Sequence, residues 1–160
     1  MPRPAALRIL LVAVLLGSCL AATAGPPAVG EPLPALELKD QNDKPWRVAA
    51  DARLLLYASG RQGSNLALEV LADQPEGFLA SRRAAYLADM SRMPGFVTET
   101  FALPALRAQP FAVGVVLDAK VLAGWPRDDA AVQLFGLEDG RVRSIGRAAS
   151  AAELRAALGL

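Results

Sequence analysis

Two short apolar runs constrain this chain more than any other feature. Arg53-Leu54-Leu55-Leu56-Tyr57-Ala58 and the stretch from Ala112 to Leu117 carry almost no polar side chain. They are too short for buried helices, and they lack the polar alternation of a half-exposed strand. Each reads as a central strand covered on both faces, which belongs in a layered α/β domain. The segments around them fill in the order. Leu36-Glu37-Leu38-Lys39, the turn Asp40-Gln41-Asn42-Asp43 and Trp46-Arg47-Val48 form a hairpin. After the first central strand, Gly60 to Gly63 makes a turn, and Ser64 caps a helix to about Gln74 whose face is Leu66, Ala67, Val70 and Leu71.

Ala84-Ala85-Tyr86-Leu87-Ala88-Asp89 is the next strand. Pro94 opens a helix carrying Phe96, Val97, Phe101 and Ala105, and Pro104 predicts that it kinks or stops near Leu103. Lys120 to Ala123 reads as a short strand beside Ala112 to Leu117. Ala131 to Leu137 and Arg141 to Ile145 form the clearest hairpin, turned at Asp139-Gly140. Ser150-Ala151-Ala152-Glu153 is a capping box for a last helix through Leu158. The order ββ-β-α-β-α-β-ββ-α predicts an α/β sandwich with an antiparallel hairpin at one end of its sheet.

The N-terminus carries an address. Residues 1–24 have the form of a signal peptide: Arg3 and Arg8, the apolar run Ile9 to Leu16, and Ala22-Thr23-Ala24 before a cleavage point at Gly25. Leu16-Gly17-Ser18-Cys19 also resembles a lipobox, in which Cys19 is lipidated. Because Leu20 is no inner-membrane retention signal, that route ends at the outer membrane. Both routes export the domain, the first to the periplasm. Residues 25–34 form a Pro/Gly-rich arm, and 35–160 one domain. No segment after the signal reaches membrane-spanning length.

Composition then removes whole classes of chemistry. The chain has no histidine, so Ser-His-Asp and Cys-His catalysis and His-ligated metals are absent. Its one cysteine, Cys19, leaves with the signal on simple cleavage, and no CxxC or intrachain disulfide is possible. The net charge of +1, without a basic block, excludes nucleic acid as a main partner.

The arm and first hairpin, Gly30-Glu31-Pro32-Leu33-Pro34-Ala35-Leu36-Glu37-Leu38-Lys39-Asp40-Gln41, resemble the N-terminal region of peroxiredoxin-like and membrane-anchored thioredoxin-like proteins. Phe111 to Val121 is similar to their inserted strand, and Ala131 to Val142 to their terminal hairpin. The likeness spans nearly the whole mature chain and is strongest to small exported bacterial thioredoxin-like proteins, the YtfJ-like group included. Some proteins of this kind are labelled FAD/FMN-containing dehydrogenases. The resemblance implies a thioredoxin-like sandwich, a central mixed sheet with flanking helices and an N-terminal β-hairpin. It also implies a thiol at the start of the first core helix. The matching positions, Gly60-Arg61-Gln62-Gly63-Ser64-Asn65, hold none. The cis-proline that faces such a thiol would fall near Ala130 or Ala131, and Pro126 comes too early. Thiol-disulfide exchange and thiol peroxidase chemistry are therefore excluded for the mature chain.

Residues 60–65 remain the candidate site, a vestigial loop whose backbone donors and Arg61 suit an anion or an extended peptide. Against this stands an ordinary strand-to-helix turn. Ser64 has no partner that would make it a nucleophile. Asp128-Asp129 with Glu138-Asp139 lack the spacing of a cation loop. Trp46 and Trp125 are expected under loops, partly buried. No GxGxxG follows a strand, so no flavin, nicotinamide or other cofactor is expected. The sequence thus points to an exported, redox-inactive domain that binds a protein or peptide of the envelope. A cofactor-dependent oxidoreductase and a lipid-anchored structural protein are the alternatives.

Overall fold

The computed structural model describes residues 25–160. The signal segment and Cys19 lie outside them. Seven strands form one mixed sheet in the order β2-β1-β5-β4-β3-β6-β7. They are β1 (Leu38–Asp40), β2 (Pro45–Trp46), β3 (Leu54–Ala58), β4 (Ala84–Asp89), β5 (Gly114–Val116), β6 (Val132–Glu138) and β7 (Arg141–Ala148). β3, β4 and β5 run parallel, and the outer pairs are antiparallel. This is the mixed α/β sheet with flanking helices that the element order implies.

The strands bury alternate residues on two faces. Leu56 and Ala58 of β3 join Tyr86 and Ala88 of β4 in one core, covered by α1 (Arg61–Leu71), α2 (Phe78–Ser81), α4 (Leu103–Arg107) and α5 (Ala151–Leu158). Leu55 and Tyr57 join Leu87 and Phe135 in the other, covered by Leu36, Leu122 and Trp125 from coil segments and by Trp46. Rings organise this second core: Trp125 stands edge-on to Tyr57 and to Phe135, with centroids 5.4 and 5.7 Å apart. Such pairs contribute about 0.5–1.5 kcal/mol beyond their burial.

Several elements form for the reasons read from the sequence. Asp139 and Gly140 both take positive φ (50° and 74°), as a tight hairpin with right-handed strand twist requires. Ser150 Oγ accepts from the Glu153 amide at 3.3 Å as the N-cap, and Glu153 Oε2 accepts at 2.7 Å from the amide of Ala149, one residue before it, a shifted capping box. The first hairpin is shorter than expected, and its turn is held by Asp40 Oδ1, which accepts from the Asn42 and Lys44 amides.

Three expectations are corrected and one unread helix is added. Residues 120–123 form turns and no strand, because the chain there folds over the second core to deliver Leu122 and Trp125. Phe78–Ser81 form a short helix that the Gly and Pro around it hid. Pro104 does not stop its helix: α3 (Gly95–Val97) passes through a π turn (Thr98–Ala102) into α4. A wider turn just before a proline relieves its missing donor and its ring. Ser64 does not cap α1, as described below.

The arm is not loose over its last residues. The Gly30 amide donates to Val142 O, the Leu33 amide to Gly140 O, and the Val142 amide to Glu31 O, each near 2.8–2.9 Å. Among the described residues no helix is long and apolar enough to cross a membrane.

Candidate functional site

β3 and β4 end side by side, Ala58 opposite Ala88, and each then leads into a helix on the same face. The chain leaves β3 through Ser59 and Gly60 into α1, and leaves β4 through residues 90–94 into α3. Between the two exits lies a groove of about 1050 Å³ at the carboxyl ends of the parallel strands. Open α/β sheets place their ligand crevices there. One wall is the first turn of α1, and the other is the helical stretch 95–106.

Glycine lets a third segment close the groove's end. A Cβ at Gly60 would run into the Asp129 backbone, and one at Gly63 would come within 2.5 Å of Ala131 O. With neither present, residues 128–131 lie against the helix start. The Gly63 amide donates to Asp129 O at 3.3 Å, and Ser59 Oγ accepts from the Asp128 amide at 2.8 Å. Ala130 and Ala131 thus sit opposite α1, where the resemblance placed its facing residue.

At the helix start Asp129 O takes the Gly63 amide and the Asp129 carboxylate lies beside Gly60, but the helix supplies no acceptor of its own. Gly60, extended at φ −147°, is the N-cap and has no side chain to offer, and the first turn holds no acid. The amides of Arg61 and Gln62 have no carbonyl within the helix to bond. Ser64 already donates its amide to Gly60 O, so it stands inside the first turn and cannot cap it. Residues 61–65 are therefore helix, not loop. Arg61, Gln62 and Asn65 are exposed, Ser64 is half-buried and Gly63 is buried. All of the six candidates except Gly63 line the groove.

Beneath this lies a buried ion pair that sequence reasoning missed. Asp89 closes β4 with its side chain fully buried. Arg127 donates both terminal nitrogens to Asp89 Oδ2 at 2.8 Å, and the Tyr57 hydroxyl donates to the same oxygen at 3.3 Å. Ser91 supplies Oδ1 with its amide at 2.9 Å and its hydroxyl at 2.6 Å. Five donors on one carboxylate are what a buried charge needs to be tolerated. The pair ties residues 117–131 to the sheet. Burial pushes the Tyr57 phenol far above its ordinary value of 10.0, the Asp89 charge adds to that, and Arg127 opposes it.

Tyr86, on the opposite face, is the second missed residue. It lines the groove fully buried, and its hydroxyl makes no hydrogen bond. Burial raises its phenol strongly as well, with nearby Ser64 opposing. A sequence signal existed for both residues. A charge that ends an apolar strand, and a hydroxyl inside one, must each find a polar neighbour or remain costly.

The remaining candidates separate. Asp128 pairs with Arg147 at 2.9 Å and Glu138 with Arg143, at opposite ends of β6, so the two acidic pairs do not converge. Among the described residues no cluster of three His, Cys, Asp or Glu side chains is placed to hold a metal. Trp46 and Trp125 are more deeply buried than expected, Trp46 against Gly114 of β5 and Trp125 against Tyr57 and Phe135.

No protein-family model matches the chain, and no curated protein matches it by sequence. Solved structures do match by shape. A peroxidoxin, BcpB, from Mycobacterium tuberculosis superposes with a TM-score of 0.53 and 18% identity, over 83% of this chain and 95% of that one. A protein assigned as a disulfide isomerase from Bacteroides thetaiotaomicron gives 0.52 and 12%, over 83% and 87%. The chain has a thioredoxin-like fold.

Proposed function

We propose that this chain is an exported, redox-inactive thioredoxin-like domain that binds a protein or peptide of the bacterial envelope at the start of α1. One observation carries the reading. The helix start keeps its free amides and Arg61, while the sequence offers no cysteine after Cys19. A helix N-terminus lowers the pKa of a thiol placed there, and without one it retains only its affinity for acceptors and anions. Binding survives the loss of the thiol, and electron transfer does not. Export rests on the signal-peptide pattern of residues 1–24, with Gly25 as the first mature residue. Lipidation at Cys19 is the alternative, and the mass of the mature N-terminus separates the two.

The test has two parts. The purified mature domain should neither reduce insulin disulfides nor consume peroxide with a thiol reductant, and activity above a no-protein control would overturn redox inactivity. Tagged mature domain should retain an envelope protein from extract at low salt, and Arg61→Ala should retain less with its melting temperature nearly unchanged, since exposed loop and surface charges rarely support a fold. Equal retention by both would remove the helix start from the reading. A large fall in stability would show Arg61 to be structural.

A further inference from the structure

The groove has two unlike walls. α1 presents Arg61, Gln62 and Asn65, all polar and exposed. The opposite wall presents Met93, Val97 and Phe101, and Phe101 is 64% exposed. Tyr86 lies between them with a buried hydroxyl that lacks a partner. A ligand that satisfies this site brings an acceptor for the Arg61 and Gln62 amides, an apolar body for the far wall, and a further polar group for Tyr86.

The charges choose the sign of the head group. Asp89 is neutralised by Arg127, which leaves Arg61 and Arg92 against Asp129 on the lining. The positive end of α1 adds to the two arginines. A carboxylate fits this balance, and an ammonium does not. An acyl chain would leave Gln62, Asn65 and Tyr86 facing hydrocarbon. An extended peptide carries an amide at every residue and apolar side chains on alternate sides, which suits one polar and one apolar wall.

We infer that the groove takes the last residues of an apolar peptide, with its terminal carboxylate on the Arg61 and Gln62 amides and its side chains against Val97 and Phe101. The Tyr86 hydroxyl then donates to a peptide carbonyl. This rests on the binding role proposed above and names the ligand of the same groove.

Three labelled probes test it by fluorescence anisotropy on the mature domain: the apolar peptide AVALF with a free carboxylate, its C-terminal amide, and decanoate. The free acid should bind about tenfold more tightly than the amide, the ratio expected for charge-assisted hydrogen bonds. Arg61→Ala should weaken the acid and spare the amide. Asp129→Asn, which removes the opposing charge at the rim, should tighten the acid a few-fold. Equal binding of acid and amide would overturn the carboxylate and leave peptide binding standing. Decanoate binding as tightly as the peptide acid would overturn the peptide in favour of an acyl ligand. If no probe binds while Arg61-dependent retention from envelope extract persists, this inference fails and the broader reading survives. If retention is also absent, both fail.

Discussion

Leu56 and Ala58 of β3 look onto helices, whereas Leu55 and Tyr57, each one residue away on the same strand, look onto coil. The helical cover satisfies its own backbone and needs only apolar contact to stay in place. The coil cover, residues 117–131 above all, has no such ladder and is fixed by particular side chains. Trp125 wedges between Tyr57 and Phe135, and Arg127 grips Asp89. One face is held by many interchangeable contacts, and the other by a few that have no substitute. Each face also carries its own reporter. Both tryptophans, Trp46 and Trp125, belong to the coil-covered core, while far-ultraviolet dichroism reads mainly the helices on the other side.

The largest expected effect is at Trp125. Trp125→Ala should destabilise the domain by about 3–5 kcal/mol, and Leu154→Ala, on the buried face of α5, by an amount toward the lower end of about 2–5 kcal/mol. Urea unfolding of both variants, followed by dichroism and by Trp46 fluorescence, checks this. In the wild type the two signals should change together, as one cooperative unit. Equal losses for the two variants would break the contrast. A Trp125→Ala domain whose fluorescence transition precedes its dichroism would sharpen it, because the coil cover would then open alone.

Next comes Asp89→Asn, which strands the Arg127 guanidinium among groups that can no longer neutralise it. Removing one partner of a buried pair costs about 3–5 kcal/mol, and the lower figure is expected here because Arg127 keeps some exposure (22%). Limited proteolysis should then cut within 117–131 first. Cutting at α5 instead would show that the pair does not hold the coil.

The smallest effect is alkaline, and each face supplies one of the two tyrosines. Burial raises both phenols above their ordinary 10.0 in the folded state, so the folded domain holds its protons longer than the unfolded chain. That stability is complete below pH 10.0 and is lost as pH rises further, by about 1.4 kcal/mol per tyrosine per pH unit. Tyr57→Phe and Tyr86→Phe should each flatten the fall in the urea midpoint with pH. A phenolate absorbance that rises before unfolding would show that one face admits water, and the variants tell which.

How much of this was legible in the sequence follows the same division. The helical side declared itself locally: α1's apolar spacing, the Ser150–Glu153 box and the Asp139-Gly140 turn each act within a few residues. The coil side did not, because its determinants are distant in sequence. Asp89 meets Arg127, and Tyr57 meets Trp125, with no periodicity to announce either contact. Residues 120–123 misread as a strand for that reason. At the site, residues 60–65 are singled out by the resemblance, as the positions that would carry a thiol. The backbone approach of Asp129 to Gly60, and the helix start at Arg61, were not legible there. Nor was Tyr86, whose apolar neighbours in the strand concealed its hydroxyl.

The strand order carries a consequence in time. β4 can join β3 as soon as α1 and α2 have formed between them, but the other edge of β3 waits for β6, which arrives only after β5 and the long coil. β6, β7 and α5, by contrast, are consecutive and can assemble from near neighbours, a quick step beside the closure of long loops. Phe135, Leu137 and Val142 all reside in that late-docking hairpin, so the aromatic core has no far wall until it arrives. A chain emerging from its N-terminus would therefore pass through a stage with Tyr57 and Leu55 covered only in part, by Leu36 and Trp46, and its last strands would complete that cover.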